Sequence, residues 1–213
     1  MKKVVIRVLM LALVAGAVWG VYRLYKSMPK KEEHTGELLS PYAVSKHTNE
    51  KYAKVFNRVY GMETVGLRYF NVFGPRQNVK GPYAAVIPLF IKAMLDGVQP
   101  TIFGDGENTR DFTYVDNVVN ANLLAAFAPL ANAGSPVLNV AYGGTVSLNQ
   151  LYNILARISG FGKPALYAPE RKGDIKNSFA DISRAKALLG YAPGTGLEEG
   201  LAKTFDWFRS QQE

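Results

Sequence analysis

The sequence Ser40-Pro41-Tyr42-Ala43-Val44-Ser45-Lys46 begins a predicted helix. A serine followed by a proline predicts an N-cap with proline in the first helical turn. The apolar pattern continues to Tyr60, and Gly61 predicts the end of the helix. Tyr42 and Lys46 are four residues apart and therefore share one helix face. A lysine beside a phenol favours the phenolate and lowers the pKa of the tyrosine below about 10, which suits the pair to proton transfer.

On its own this motif has a second interpretation, in which an exposed tyrosine lies over a solvated lysine. The rest of the chain has the pattern of an α/β protein, because predicted strands and helices alternate. Predicted strands cover residues 63–69, 100–103, 110–115, 137–140 and 164–168, and predicted helices cover 86–95, 116–127, 147–158, 181–190 and 197–209. A loop follows the first of these strands, and α/β proteins bind ligands in such loops.

The composition limits the classes of function. A chain of 213 residues can bury one core, or one domain and a small second one. Because it has no cysteine, disulfides, thiolate nucleophiles and cysteine-based zinc sites are excluded. The two histidines, His34 and His47, are too few and too far apart for a histidine-rich site, so we predict no metal.

The formal charge of +8 belongs mainly to the N-terminus. Seven of the 25 basic residues precede the first acidic residue, Glu32, and the remaining 18 nearly balance 17 acidic residues. The chain has no long basic stripe and no stacking motif, so we predict no nucleic-acid partner.

The segment 4–22 is almost entirely apolar and is flanked by basic residues. Three interpretations remain open: a membrane anchor, a cleaved signal peptide and a buried segment of a damaged domain. The anchor predicts membrane contact through residues 4–22. A dinucleotide-binding fingerprint needs a strand followed directly by G-x-G-x-x-G, and neither this segment nor Gly194-Thr195-Gly196 provides one.

Five motifs follow one another from Glu32 onward. They are residues 40–46 (SPYAVSK), 67–77 (LRYFNVFGPRQ), 102–106 (IFGDG), 109–116 (TRDFTYVD) and 171–174 (RKGD). In this order and spacing they resemble the extended short-chain dehydrogenase/reductase family, in its nucleotide-sugar epimerase and dehydratase branch. Within that branch, residues 83–88 (YAAVIP) most resemble 4-epimerases that act on UDP-N-acetylglucosamine, with UDP-glucose as the related substrate.

The resemblance implies an α/β fold. It combines a partial Rossmann-type, doubly wound sheet with a small α/β substrate-binding subdomain, and we place an apolar N-terminal helix before them. We predict three parts: residues 1–31, unlike the family; residues 32–78, a remnant of the NAD-binding half; and residues 79–213, mainly the nucleotide-sugar-binding part. The family also implies NAD as cofactor, a cytoplasmic location and a homodimer through the Tyr42 helix, with a contact face of Asn49, Tyr52, Ala53 and Phe56.

The resemblance also implies roles for single residues. Tyr42 would be the catalytic acid/base, Lys46 would hold the nicotinamide ribose, and Tyr69 would lie beside the nicotinamide amide. The residues that would bind the UDP-sugar are Asn71, Ala85, Val86, Phe103, Arg110, Arg171 and Asp174. Among them, the asparagine and the arginines would face the diphosphate, and the aspartate would accept from ribose hydroxyls.

The two arginines have an alternative interpretation as surface ion pairs. Arg110 would then pair with Asp111, and Arg171 would pair with Asp174.

The chain departs from the family in two respects. We recognise neither the glycine-rich βαβ units nor the Ser/Thr triplet that precedes the tyrosine helix, since residues 17–22 provide only the hydroxyl of Tyr22. We therefore expect these 213 residues to bind a UDP-sugar weakly and to lack meaningful epimerase activity. The alternative is a membrane-tethered, non-catalytic protein that binds a UDP-sugar or a partner. Decarboxylase or dehydratase chemistry ranks lower, because no Asp-Glu pair is visible before the helix.

Overall fold

The structure is a computed structural model that describes residues 28–38, 40–79, 85–129, 133–171 and 174–212. Helices α1 to α6 cover Pro41–Tyr60, Val86–Leu95, Val115–Phe127, Leu148–Ser159, Ser183–Leu189 and Leu197–Ser210. Strands β1 to β9 cover Gly66–Tyr69, Val72–Phe73, Thr101–Phe103, Thr109–Arg110, Thr113–Tyr114, Val137–Val140, Val146–Ser147, Leu166–Ala168 and Asn177–Ser178. The predicted alternation of helices and strands is confirmed.

Helix α1 begins and ends where the local sequence predicted. The Ser40 hydroxyl accepts a hydrogen bond of 3.1 Å from the Ala43 amide, and Pro41 occupies the first turn. Gly61 ends the helix with φ of 66°, a conformation that a side chain disfavours, and its amide donates to the Asn57 carbonyl. Both ends are determined by contacts within four residues, which is why the sequence alone predicts them.

One hydrophobic cluster surrounds the parallel pair formed by β1 and β6. The register runs from Gly66 opposite Val137 to Tyr69 opposite Val140. Helices α3 and α5 pack on this pair, and Leu138 is fully buried at the centre of the cluster. Strands β2 and β5 form a second parallel pair at the end of β1.

A second hydrophobic cluster joins α2, α4 and α6, where Ile91, Leu151 and Leu201 are fully buried. Helix α4 begins with a capping box, in which Ser147 and Gln150 exchange side-chain and backbone hydrogen bonds. Strands β3 and β8 pair in parallel at one side of this cluster. The two clusters place the carboxyl end of β1 next to the amino end of α2.

The strand that we predicted over residues 110–115 is wrong as a single element. Residues Thr109–Arg110 pair with β7 and β9, whereas Thr113–Tyr114 pair with β2. The predicted helix that Asp116 caps instead begins at Val115, and no side chain caps it. The pairing changes at Asp111, where the buried carboxylate accepts hydrogen bonds from backbone amides of other segments.

The predicted N-terminal helix over residues 4–22 lies outside the described residues. Among the helices of the described ranges, none combines the length and apolarity that a membrane span requires. The division at residues 78 and 79 stays a prediction. The hydrophobic cluster around β1 nevertheless contains residues from both sides of this division, since Leu67 lies opposite Leu138 and packs against the cluster.

Candidate functional site

Two of the concave surfaces of the described chain contain the predicted site residues. One, the Arg110 cavity, has a volume of about 470 Å³, and the other, the Tyr42 groove, has a volume of about 580 Å³. The Arg110 cavity is lined by all seven predicted substrate-binding residues: Asn71, Ala85, Val86, Phe103, Arg110, Arg171 and Asp174. The Tyr42 groove is lined by Tyr42, Lys46 and Tyr69. The fold therefore gathers the predicted site residues into two groups, one for each predicted ligand.

Arg110 lies half-buried at the end of β4. Its guanidinium donates to the Thr109 carbonyl at 2.8 Å and to the Lys176 carbonyl at 3.4 Å. Burial lowers the pKa of Arg110, whereas the nearby Asp174 carboxylate raises it. A guanidinium nevertheless stays charged in proteins, so the cavity contains a positioned cation.

Arg171 supplies a second cation at the rim of the cavity. Its guanidinium carbon lies 3.8 Å from the centroid of the Phe103 ring, which is a cation–π arrangement. Phe103 ends β3 and Arg171 follows β8, so the pairing of these two strands brings them together. The aromatic ring therefore provides a flat apolar surface beside a planar charged group.

Asn71 lies at the carboxyl end of β1 with a positive φ of 36°. Its amide nitrogen Nδ2 donates to the Asp111 carbonyl at 3.1 Å, and its own carbonyl accepts from the Thr113 amide at 3.2 Å. An asparagine tolerates this unusual backbone conformation better than most residues do. The first hydrogen bond holds the side chain and the second holds the backbone of Asn71, which lines the cavity.

The remaining wall comes from α2. Ala85 is its N-cap and has no side-chain cap hydrogen bond, so the first-turn amides lie at the cavity without that partner. Phe90, Phe112 and Leu148 add an apolar lining that we did not predict. Phe112 belongs to the motif of residues 109–116, but the motif alone does not show that this side chain lines the cavity.

The Tyr42 groove lies between α1 and β1. The Lys46 ammonium is 5.4 Å from the centroid of the Tyr42 ring, so the predicted same-face arrangement is confirmed. Tyr42 is 71% exposed, which leaves its hydroxyl open to a ligand. At the other side of the groove, the Tyr69 hydroxyl donates to Asn122 Oδ1 at 3.0 Å.

A salt bridge that we did not predict closes the floor of this groove. Arg68 Nε and Nη2 donate to the two Glu50 carboxylate oxygens at 2.7 and 2.9 Å. This pairing lowers the pKa of Glu50 and raises the pKa of Arg68. Because Glu50 lies four residues after Lys46, helical spacing could have placed it on the same face of α1. The spacing could not have identified its partner Arg68, which is 18 residues away.

The interpretation of Arg110 as a surface partner of Asp111 is wrong. The Asp111 carboxylate is fully buried and accepts backbone amides instead. Within the described ranges, no group of three or more histidine or acidic side chains is placed to hold a metal ion. The Arg110 cavity thus offers two cations, an aromatic face and one carboxylate, a set that suits an anionic ligand with a flat ring and hydroxyl groups.

Comparison with known proteins gives a consistent result. Residues 12–141 match the model of a family described as the NAD dependent epimerase/dehydratase family. The chain is 39% identical to a putative UDP-glucose 4-epimerase of Methanocaldococcus jannaschii over 99% of its own length and 66% of that protein's length.

Two solved structures are similar in fold and sequence. A UDP-N-acetylglucosamine 4-epimerase from Methanobrevibacter ruminantium in complex with UDP-N-acetylmuramic acid superposes with a TM-score of 0.81 at 45% identity, covering 86% of this chain and 58% of that one. A Thermotoga maritima UDP-glucose 4-epimerase with UDP-glucose has a TM-score of 0.77 at 43% identity, covering 82% and 55%. The chain thus spans between half and two thirds of the length of these relatives.

Proposed function

Because this chain belongs to the NAD dependent epimerase/dehydratase family and has its α/β Rossmann-like fold, we propose that it binds a UDP-sugar in the Arg110 cavity and serves NAD-dependent 4-epimerisation. The observation that carries this proposal is the lining of one cavity by all seven predicted substrate-binding residues. The names of the similar epimerases support the same substrate class, with UDP-N-acetylglucosamine and UDP-glucose as the two candidates.

The chemistry of the cavity fits the parts of a nucleoside diphosphate. Arg110 and Arg171 would offset the charge of the diphosphate, and each can donate two parallel hydrogen bonds to phosphate oxygens. Phe103 would flank the uracil ring, and the first-turn amides after Ala85 would meet its polar edge. Asp174 would accept from ribose hydroxyls, while Asn71 would hold the diphosphate side of the sugar.

The residues of the Tyr42 groove fit the nicotinamide end of NAD. The Lys46 ammonium can donate to ribose hydroxyls, and the groove is of a size that accepts a ring and a ribose. When bound, NAD supplies a hydride acceptor and donor for the sugar carbon. Tyr42 would take the proton from the sugar hydroxyl and return it, since its hydroxyl is accessible and stands beside a cation.

The expectation of low turnover for these 213 residues is part of the proposal. Tyr42, Lys46 and Tyr69 would contact only the nicotinamide end of NAD, whereas alignment of the reacting atoms is worth about 7–11 kcal/mol. Binding of the UDP part needs none of these contacts. The membrane-tethered alternative gains no support from the described helices.

A homodimer through α1 is a further part of the proposal. In the described structure, α1 has no buried residue along its 20 positions. Of the predicted contact face, Tyr52 and Phe56 are exposed at 40% or more, whereas Asn49 and Ala53 line the Tyr42 groove. Val55 and Val59 extend the exposed part as the outer face of α1. An apolar surface of this kind marks an interaction site in proteins that stay soluble.

Titration calorimetry with UDP, UDP-N-acetylglucosamine and UDP-glucose tests the binding proposal. We expect Arg110→Gln and Arg171→Gln each to weaken UDP affinity, because a hydrogen bond to a charged group contributes about 1.5–3 kcal/mol. That loss corresponds to roughly a ten- to hundredfold higher Kd. Arg157→Gln is the matched control, since its guanidinium pairs with Glu198 at the surface and does not line the cavity.

Equal UDP affinity in the two cavity variants and the wild type would contradict the proposal, as would absence of binding. Incubation with NAD and each UDP-sugar, followed by separation of the C4 epimers, measures turnover in the same preparation. Turnover that Tyr42→Phe abolishes would assign the chemistry to Tyr42 and would overturn the expectation of low activity.

A further inference from the structure

The carboxylate, the backbone amide and the backbone carbonyl of Asp111 all form hydrogen bonds with other segments of the chain. The residue is fully buried between β4 and β5. Its carboxylate accepts hydrogen bonds of 3.2 Å from the amides of Tyr142 and Gly143 and of 3.3 Å from the amide of Ala180. Its own amide donates to the Ser178 carbonyl at 2.9 Å. One side chain therefore joins three segments that are 31 to 69 residues apart in sequence.

The last polar group of Asp111, its carbonyl, holds the cavity residue Asn71. That carbonyl accepts from Asn71 Nδ2 at 3.1 Å, and Asn71 is held in turn by the Thr113 amide at 3.2 Å. The residue before Asp111 is Arg110, whose guanidinium turns back onto the Thr109 and Lys176 carbonyls. Two of the groups proposed to face the diphosphate are thus attached to the backbone at Asp111.

The charge of Asp111 also argues against a direct ligand contact. Burial raises the pKa of this carboxyl, and the backbone amides that it accepts oppose that rise. A carboxylate that faced a bound diphosphate would repel it, and hydrogen bonds to its lone pairs would not remove that charge. The amides of Tyr142, Gly143 and Ala180 occupy the lone pairs of Asp111, so the side chain can stay inside the fold without facing the anion.

We propose that Asp111 is a positioning residue, whose buried carboxylate fixes the backbone that aims Asn71 and Arg110 into the cavity. The role in ligand binding rests on the proposed function; the orientation of Asn71 does not. A residue that only stabilised the fold would change the free energy of unfolding but leave the affinity of the folded protein unchanged.

The test is Asp111→Asn, which keeps the size of the side chain. One oxygen becomes an amide donor that faces a backbone donor, so a hydrogen bond to the 142–143 or 180 segment is lost. In the ligand-free protein we expect the Asn71 side-chain amide signal to shift in nitrogen–proton NMR spectra and the Thr113 amide to exchange faster. In the presence of ligand we expect the Kd for UDP to rise at least about tenfold, the change that about 1.4 kcal/mol produces.

Asp181→Asn is the matched control, because Asp181 accepts the Ser183 amide at 2.9 Å and does not line the cavity. It should leave the Asn71 signal and the Kd for UDP unchanged. Gly143→Ala is a second variant for the case that Asp111→Asn does not fold. Gly143 has a φ of +84°, and a Cβ added there would lie 3.0 Å from Ile182 Cδ1. Gly143→Ala should therefore displace the residue 143 amide from the Asp111 carboxylate. It should shift the Asn71 signal and weaken UDP binding in the same direction.

The outcomes separate this proposal from the proposed function. An unchanged Asn71 signal in a folded variant overturns the positioning role. A shifted signal with unchanged UDP affinity also overturns it, because the orientation would then not serve the site. If the wild type does not bind UDP at all, the proposed function fails, whereas a shifted Asn71 signal still supports the orientation of Asn71 by Asp111.

Discussion

Glu50 and Arg68 show how one residue pair connects the predicted catalytic helix to the sheet. The side chains are 17% and 25% exposed, and two hydrogen bonds join them. The Arg68 guanidinium also donates to the Glu32 carbonyl at 3.0 Å, so it ties the segment before α1 to β1. Because α1 has no buried residue in the described structure, such polar contacts have to orient it.

The pair predicts a specific dependence of stability on pH. The pKa of Glu50 lies below its ordinary value of 4.5, mainly because Arg68 donates to the carboxylate. The ionised Glu50 carboxylate therefore contributes fully to the free energy of unfolding above about pH 4.5. This contribution is lost as the pH falls through the lower pKa that Glu50 has in the folded protein. We expect Glu50→Gln to lower the free energy of unfolding at pH 7 by about 1–2 kcal/mol and to flatten the acid loss.

Urea unfolding at pH 7 and at a series of acidic pH values measures both effects. Glu198→Gln is the control, because Glu198 and its partner Arg157 are more than 60% exposed, and such a pair contributes about 0–1 kcal/mol. An equal change in the two variants would show that the Arg68 contact does not stabilise the fold.

Helix α6 packs closely against two strands at a glycine. Gly200 lies where this helix meets β2 and β5, and an added Cβ would lie 2.7 Å from Cδ2 of Tyr114 and 2.9 Å from Cζ of Phe73. Alanine gains about 1 kcal/mol over glycine in a helix interior, but overpacking costs about 1–3 kcal/mol. We expect Gly200→Ala to destabilise the protein, since both opposing atoms belong to buried rings.

Thermal and denaturant unfolding of Gly200→Ala measures this cost. Gly162→Ala provides the comparison, because nothing lies within 4 Å of a Cβ added there. It should leave the midpoint nearly unchanged. If Gly200→Ala were as stable as the wild type, α6 would have room to move away from the two rings, and the close approach would not be required.

At the scale of the whole molecule, the proposed homodimer predicts the mass of the particle in solution. We expect sedimentation equilibrium to give twice the chain mass of 23.4 kDa, since the outer face of α1 needs an apolar partner. Phe56→Lys should shift the particle toward the monomer, because it places a charge in the centre of that face. Ile175→Lys is the control, because Ile175 is an exposed apolar residue outside α1, on the loop between β8 and β9. A wild-type monomer at micromolar concentration would contradict the proposal.

Features that depend on contacts between neighbouring residues could be predicted from the amino-acid sequence. Ser40, Pro41 and Gly61 determine α1 through contacts within four residues, and Ser147 starts α4 through a capping box that spans three. The order of the five motifs was sufficient to identify the family, and the residues named from it line one cavity and one groove. Four of the five motifs contain or follow a strand, and α/β proteins bind ligands in loops that follow strands, whereas residues 40–46 begin α1.

The contacts of Asp111 and the break in the predicted strand over residues 110–115 depend on long-range packing. The partners of Asp111 are the amides of residues 142, 143 and 180, and no local pattern announces a hydrogen bond between groups so far apart in sequence. The same holds for Arg68, whose partner lies on another element. Sequence periodicity indicates which face of an element is buried. A buried charge instead needs hydrogen-bond partners, and these can be backbone groups that are distant in sequence.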